Sequence, residues 1–282
     1  MAIYRCEAKG GKKQIPSAGA KSDYVQREGK YEERHKDELT FSGSQNLPAW
    51  AGDGRAFWKA HDRHERKNGS SIREFVVALP VELNHEQQVA LTRDFAQSLS
   101  AMGGDNPLPV TMAIHDNTKN PHAHILLSER PNAENGQDDP ADFFSRKNPK
   151  IQHFNGKSRE RKATLGMIRE KWAKQVNAAL ENANAPERVS HLSLVDQGID
   201  RIPQPKLGPE VKQMIEQGTG GEIRIQKMAM KMAQDHLRRF NPDATVEEAK
   251  DLVPALEEKY KAEIKANLTT YREDKIESKA QA

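Results

Sequence analysis

Pro109-Val-Thr-Met-Ala-Ile-His115-Asp-Asn-Thr-Lys-Asn-Pro-His122-Ala-His124-Ile-Leu-Leu-Ser128 is the stretch on which the reading of this chain turns. Two runs of strand character, Val110–Ile114 and Ala123–Leu127, flank Asp116–Pro121, whose Asp, Asn and Pro favour a turn. The pattern predicts a β-hairpin. Side chains alternate along a strand, so Thr111, Ala113 and His115 share one face of the first strand. His122, His124 and Leu126 share one face of the second, and Ala123, Ile125 and Leu127 take the other. A turn that pairs His115 with His122 puts all three imidazoles on one side of the sheet. Directly opposed Cβ atoms lie about 5 Å apart, close enough for three rings to converge on one cation. Three His ligands with an open position suit a catalytic metal better than a closed structural one. The plain alternative is isolated polar residues on a solvated sheet face. A His-x-His pair with a third His on the same predicted face favours the metal.

Around this hairpin the chain has 282 residues, enough for one large domain or a domain plus an appendage. Hydrophobic residues make up 35% and charged residues 30%, and the mean hydropathy is −0.88. That is polar for a compact domain, so a core is expected in part of the chain and solvated helices elsewhere. The net charge of +3 permits a nucleic-acid partner without requiring one. Cys6 is the one cysteine, which excludes an intramolecular disulfide and a Cys-based zinc cluster. With no apolar run of membrane-spanning length and no signal-peptide core, a cytoplasmic location is expected.

Further strands are expected at Ala2–Cys6, Ile72–Leu79 and Val189–Leu194. Helices are expected over Ala18–Gly29, Gly54–Lys67, Asn84 to about Met102, and Ala163–Asn182. The last carries Met167, Ile168, Trp172, Val176 and Leu180. Lys9–Ser17, Glu32–Pro48, Pro131–Asn148 and Lys147–Lys162 read as loops or irregular chain. Beyond Pro209 the pattern is helical, with breaks at Gly218–Gly221 and Asn241–Pro242. Val246–Lys279 reads as a solvated helix or a partly disordered tail. The predicted class is α+β, an antiparallel sheet of about five strands with helices on one face, followed by a helical C-terminal tail.

One other block carries chemistry: Ala20-Lys-Ser-Asp-Tyr24-Val-Gln-Arg-Glu-Gly-Lys-Tyr31. A tyrosine can act as a nucleophile, although its ordinary pKa near 10 makes it a weak one without help. Judged by its neighbours alone, Tyr24 is a tyrosine packing on the sheet. The chain start, this block, the Glu74-Phe-Val-Val-Ala-Leu-Pro strand and the Asn120-Pro-His-Ala-His-Ile-Leu-Leu-Ser-Glu-Arg130 block together resemble the MobA/MobL plasmid mobilisation relaxases. These are HUH endonucleases, named for His-hydrophobic-His, here His122-Ala123-His124. Leu194-Val-Asp-Gln-Gly-Ile-Asp-Arg-Ile-Pro-Gln-Pro-Lys-Leu-Gly-Pro209 extends the resemblance, which covers about residues 1–215 in matching order. It implies a relaxase domain over 1–215; residues 216–282, outside the resemblance, are read from their own pattern as a charged helical tail, in part disordered.

The resemblance implies a reaction and its parts. Such enzymes bind single-stranded or melted origin-of-transfer DNA, attack one phosphodiester with a tyrosine, and form a 5′-phosphotyrosyl intermediate that is later rejoined. Tyr24 matches the nucleophile, and His115, His122 and His124 match the metal triad. Glu74 matches an acidic position that acts as general base or orients a ligand histidine; as a residue alone it is equally a solvent-facing strand carboxylate. The implied cofactor is Mn2+ or Mg2+, of which three imidazoles favour the softer ion. Mobilisation accessory proteins and a coupling protein are the implied protein partners, with no membrane insertion. Tyr31 competes with Tyr24, since some HUH replication initiators use two tyrosines on one helix; the block match favours Tyr24. A replication initiator or transposase, or a DNA-binding accessory protein that does not cleave, remain alternatives. For the DNA surface, Arg146–Lys174 holds ten Lys or Arg against two Glu, net +8. Lys157, Arg159, Arg161 and Lys162 cluster there as candidate phosphate contacts, with a solvated basic face as the equal alternative. Trp50, Phe57 and Trp58 are read as core rather than as base-stacking residues.

Overall fold

A computed structural model describes residues 3–258 apart from 11–14, 34–37, 67–68, 70–71, 117–119, 134–137, 152–153, 155–157, 200–213, 215–216, 218–220, 242 and 244. The chain divides into two compact units, Met1–His191 and Leu192–Ala282. The first is built on five strands: β1 (Cys6–Gly10), β2 (Leu39–Gln45), β3 (Ile72–Ala78), β4 (Val110–His115) and β5 (His122–Ser128). They form one antiparallel sheet in the order β1-β3-β5-β4-β2. In the hairpin β4–β5 His115 lies opposite His122, the pairing that puts the three imidazoles on one face. Of the turn between them, residues 117–119 lie outside the described residues.

The period of two sorts the sheet's faces. Phe75, Val77, Met112, Ile114, Ala123, Ile125 and Leu127 point one way and are buried against α3 (His85–Ser100) and α5 (Ser158–Asn182). Asn84 starts α3 with a capping box shared with Gln87, which satisfies two otherwise orphaned N–H groups. Phe95 of α3 meets Trp172 of α5 with ring centroids 4.7 Å apart. On the other face Ile72, Ala113 and Leu126 pack under α1 (Ala18–Val25), α2 (Gly54–His64) and α4 (Pro140–Phe143). Buried Trp58 of α2 donates its Nε1–H to Thr111 Oγ1 at 3.0 Å, pinning α2 to β4. Trp50 stacks on Phe57 with centroids 5.8 Å apart, so these aromatics are core as expected.

Several expectations are corrected. Helices cover both faces, since α1, α2 and α4 add a second, smaller layer to the one expected. The N-terminal strand begins only at Cys6, not Ala2, and continues through Lys9 and Gly10, which read as loop. β2 falls in the stretch read as irregular. Both are edge strands, where polar and small residues are the rule. Val189–Leu194 is not a strand: the Asn177 side chain of α5 takes both the N–H and the carbonyl of Val189, at 2.8 and 2.9 Å. The helix expected over Ala18–Gly29 stops at Val25, and Arg27 and Gly29 take φ of +54° and +58°. α5 begins five residues early, at Ser158, and Met167 on it is exposed. α4 interrupts the loop Pro131–Asn148.

In the second unit α6 (Gly221–Phe240) is followed by a helical run over 246–258. Ile225, Ala229 and Ala233 of α6 are buried with Ala249 and Leu256, so part of the expected tail is packed helix. The rest of that tail, 259–282, lies outside the described residues. Among the described residues no helix is long and apolar enough to cross a membrane.

α1 is short and offers little apolar surface: Ala18, Gly19, Ser22 and Val25 are its buried residues. An isolated eight-residue helix is not stable in water, so its place is set by polar contacts. Asp62 of α2 accepts hydrogen bonds from Ser17 Oγ at 2.6 Å and from the N–H groups of Ala18 and Gly19 at 2.8 and 2.9 Å. The approach is close enough that a Cβ at Gly19 would lie 3.0 Å from Asp62 Oδ2. Burial pushes the Asp62 carboxyl up, but His61, Ser17 and the two N–H groups outweigh it and hold the pKa at about 2. Because the folded pKa is depressed from its ordinary 3.8, this contribution is complete above that value and is lost as pH falls toward 2. Asp62→Ala should lower stability at neutral pH by about 1–2 kcal/mol, with a smaller deficit relative to the native chain near pH 2. Thermal melts at the two pH values check it.

Candidate functional site

The hairpin brings the three predicted histidines together. Ring centroids are 4.8 Å apart for His115 and His124, 5.1 Å for His122 and His124, and 5.6 Å for His115 and His122. One ligand nitrogen from each lies within 4.8 Å of the others. Each ring has one nitrogen engaged by an acceptor. His115 Nε2 is 2.7 Å from the Val25 carbonyl, His122 Nδ1 is 2.8 Å from the Asn120 carbonyl, and His124 Nδ1 is 2.8 Å from Glu74 Oε1. An acceptor at one nitrogen holds the proton there and leaves the lone pair of the other for a metal, the usual arrangement around ligand histidines. Burial pushes His115 down to about 3, opposed by the Val25 carbonyl and assisted by His124, Arg27 and His122. Burial also lowers His124, against the pull of Glu74. Neutral imidazoles are what a cation needs, and this donor set fits a divalent ion.

Glu74 sits on β3 beside this cluster and is 1% exposed. Its Oε1 accepts from His124 and also pairs with Lys21 Nζ at 2.7 Å. Burial raises its pKa, but the His124 hydrogen bond and Lys21 more than offset that, and the carboxyl is held below the ordinary range. The plain alternative of a solvent-facing carboxylate is therefore excluded. Lys21, one turn before Tyr24, carries the link from the sheet to α1. No local pattern in the sequence pairs residues 21 and 74; only the packing of α1 on β3 does.

Tyr24 projects from α1 half-buried over the histidines, its ring centroid 6.1 Å from that of His124 and 6.3 Å from that of His115, both edge-on. Lys21 Nζ and the Arg27 guanidinium each lie 4.8 Å from its centroid. Tyr31 stands edge-on to it at 5.5 Å. Both tyrosines line a groove of about 400 Å³ with Ile15, Pro16, Ser17, Ala20 and Lys21. A tyrosine, a histidine cluster, a buried carboxylate and two cations thus converge on one end of the sheet. That arrangement can hold an ion and a phosphate beside a phenol.

The basic candidates lie apart. Arg159, Arg161 and Lys162 are exposed on the first turns of α5, which covers the sheet face opposite the histidines. Lys157 lies outside the described residues. Of the other cations in that window, Arg169 donates to the Cys6 carbonyl and Lys174 pairs with Glu170.

Residues 16–217 match the MobA/MobL family. Mobilization protein A of Escherichia coli is 42% identical over 221 residues, 76% of this chain and 30% of that protein. A 43 kDa relaxation protein of Salmonella typhimurium is 40% identical over 216 residues, 71% of this chain and 56% of that protein. A solved structure described as "Molecular Basis of Vancomycin Resistance Transfer in Staphylococcus aureus" superposes with a TM-score of 0.51 at 29% identity, covering 68% of this chain and 100% of that one. The chain spans 30% and 56% of the length of the two curated relatives. The matched segment encloses Tyr24, Glu74 and the three histidines, and the chain belongs to the MobA/MobL family.

Proposed function

We propose that this chain is the strand-nicking and strand-joining unit of a plasmid mobilisation relaxase, acting on single-stranded or melted origin-of-transfer DNA. The observation that carries the reading is Tyr24 poised over the histidine cluster, at 6.1 Å from His124. Tyr24 Oη attacks the phosphorus of one phosphodiester. The P–O3′ bond breaks, the departing 3′ oxygen takes up a proton, and the phenolic proton passes to solvent through the open groove. The products are a 5′-phosphotyrosyl link and a free 3′-hydroxyl. Attack of a 3′-hydroxyl on the link reverses the step and rejoins the strand.

Lys21 places positive charge 4.8 Å from the tyrosine ring centroid, where a phosphate's charge must be tolerated. His115, His122 and His124 would hold Mn2+ or Mg2+, which when bound supplies Lewis acidity at a non-bridging phosphate oxygen. Glu74 orients His124 and Lys21 rather than taking the phenolic proton, because its carboxylate already accepts from both. Arg159, Arg161 and Lys162 serve flanking DNA that passes round the sheet to its other face. Accessory and coupling proteins of the transfer machinery are the corresponding protein partners.

Tyr24→Phe should bind DNA like the native chain and form no covalent adduct with a single-stranded origin oligonucleotide and Mn2+ on a denaturing gel. Tyr31 is the one rival the groove offers, and an adduct that survives Tyr24→Phe but not Tyr31→Phe would transfer the role to it. Calorimetric titration with Mn2+ should show His122→Ala and His124→Ala losing most of their affinity. Glu74→Gln should lose about 10–100-fold through misorientation of His124; full affinity in that variant would remove Glu74 from the site. Replacing Arg159, Arg161 and Lys162 together with Ala should flatten the log–log salt dependence of binding by up to about 2 units. Fluorescence anisotropy over a salt series measures this, and an unchanged slope returns α5 to a solvated face.

A further inference from the structure

We propose that Arg27 is a positioning residue for the Tyr24 nucleophile: a buried latch that ties the end of α1 to the histidine end of the sheet. The proposal rests on the relaxase reading above and assigns a residue that the reaction itself does not name. Arg27 takes φ +54°, a left-handed conformation that glycine adopts freely and a bulky side chain does not. Gly29, two residues on at φ +58°, is the ordinary solution to such a turn. At position 27 the chain keeps an arginine instead, and backbone strain of this kind persists where the side chain has a use.

That side chain is 5% exposed. Its Nη1 donates to the carbonyl of Tyr24 itself at 3.2 Å, and its Nη2 to Glu38 Oε2 at 3.0 Å. Its guanidinium carbon lies 4.8 Å from the Tyr24 ring centroid. Glu38 in turn accepts on its carbonyl from Asp116 N–H at 2.7 Å, next to His115. A second tie runs parallel, from His115 Nε2 to the Val25 carbonyl at 2.7 Å. Arg27 therefore grips the nucleophile's backbone and ring at once, and anchors both to the strand that carries the first histidine. A planar, forked cation can reach two acceptors in fixed directions while stacking on a ring; a lysine cannot. Attack needs the phenol oxygen held in line with the phosphorus, and a displacement of about 1 Å costs about 10²-fold in rate.

The test uses the full chain with Arg27→Gly, which removes the guanidinium and suits the left-handed backbone, and Arg27→Lys, which keeps the charge and loses the fork. Single-turnover adduct formation is measured at saturating concentration of a single-stranded oligonucleotide that the native chain cleaves, with Mn2+. Affinity by anisotropy and the thermal midpoint are measured alongside. Arg27→Gly should react about 10²-fold more slowly, with affinity and thermal midpoint close to native, and millimolar guanidinium ion should restore part of its rate. Arg27→Lys should also be slow despite its charge. Either variant reacting within about threefold of the native chain overturns the proposal. So does a slow Arg27→Gly whose thermal midpoint collapses and which guanidinium does not restore, because that is structural loss. A native chain that forms no adduct under these conditions overturns the relaxase reading and the proposal with it, a result distinct from the other two.

Discussion

The pairing of His115 with His122 is the constraint on which the site depends. A slip of one residue in β5 would send His122 and His124 to the α3–α5 face and turn Ala123, Ile125 and Leu127 toward the site. Two features prevent it. β5 is the central strand, held on one side by β4 and on the other by β3, with Val76 opposite His124 and Ala78 opposite His122. Its alternate residues also fill a buried apolar layer on the reverse face, so any slip would bury imidazoles where leucine and isoleucine now pack. The same apolar layer that stabilises the sheet therefore fixes which side the three histidines occupy.

With the sheet fixed, the remaining problem is to hold a short, weakly apolar helix over it. α1 solves this with polar contacts at both ends and along its length: Asp62 at its start, Lys21 to Glu74 in its middle, and the Val25 carbonyl to His115 at its end. Most of these partners are buried, where a satisfied hydrogen bond or ion pair is stiff and a broken one is costly. The same contacts set the protonation of the site. Glu74 is kept ionised by the two groups it orients, and burial keeps His115 and His124 neutral. Positioning of the tyrosine and preparation of the histidines are thus one network.

Strongly periodic, two-sided segments were readable from the sequence, and long-range polar contacts were not. The two strands of the hairpin have apolar residues at every second position, which sorts their faces, while the pairing of His115 with His122 depends on the turn as well. β1 and β2 were misjudged because Glu7, Lys9, Thr40, Ser42 and Ser44 give an edge strand the composition of a loop. Val189–Leu194 looked like a strand, yet its backbone partner is the Asn177 side chain. The early end of α1 was hidden because Arg27 carries no glycine-like signal for its left-handed turn. Lys21 and Glu74 are separated by 53 positions, a pairing that only the docking of α1 reveals. The basic run at 146–174 was visible as charge, but not the sheet face on which α5 would carry it.

The proposed reaction joins Tyr24 covalently to DNA over the three histidines. Trypsin separates the two candidate tyrosines, cutting after Lys21, Arg27, Lys30 and Arg34 to place Tyr24 in Ser22–Arg27 and Tyr31 in Tyr31–Arg34. The most direct measurement is mass spectrometry of the tryptic peptides after reaction with single-stranded origin DNA and Mn2+, followed by nuclease trimming of the bound strand. A residual nucleotide, linked through its 5′-phosphate, is expected on Ser22–Arg27. A nucleotide on Tyr31–Arg34, or cleaved DNA with neither peptide modified, would contradict it.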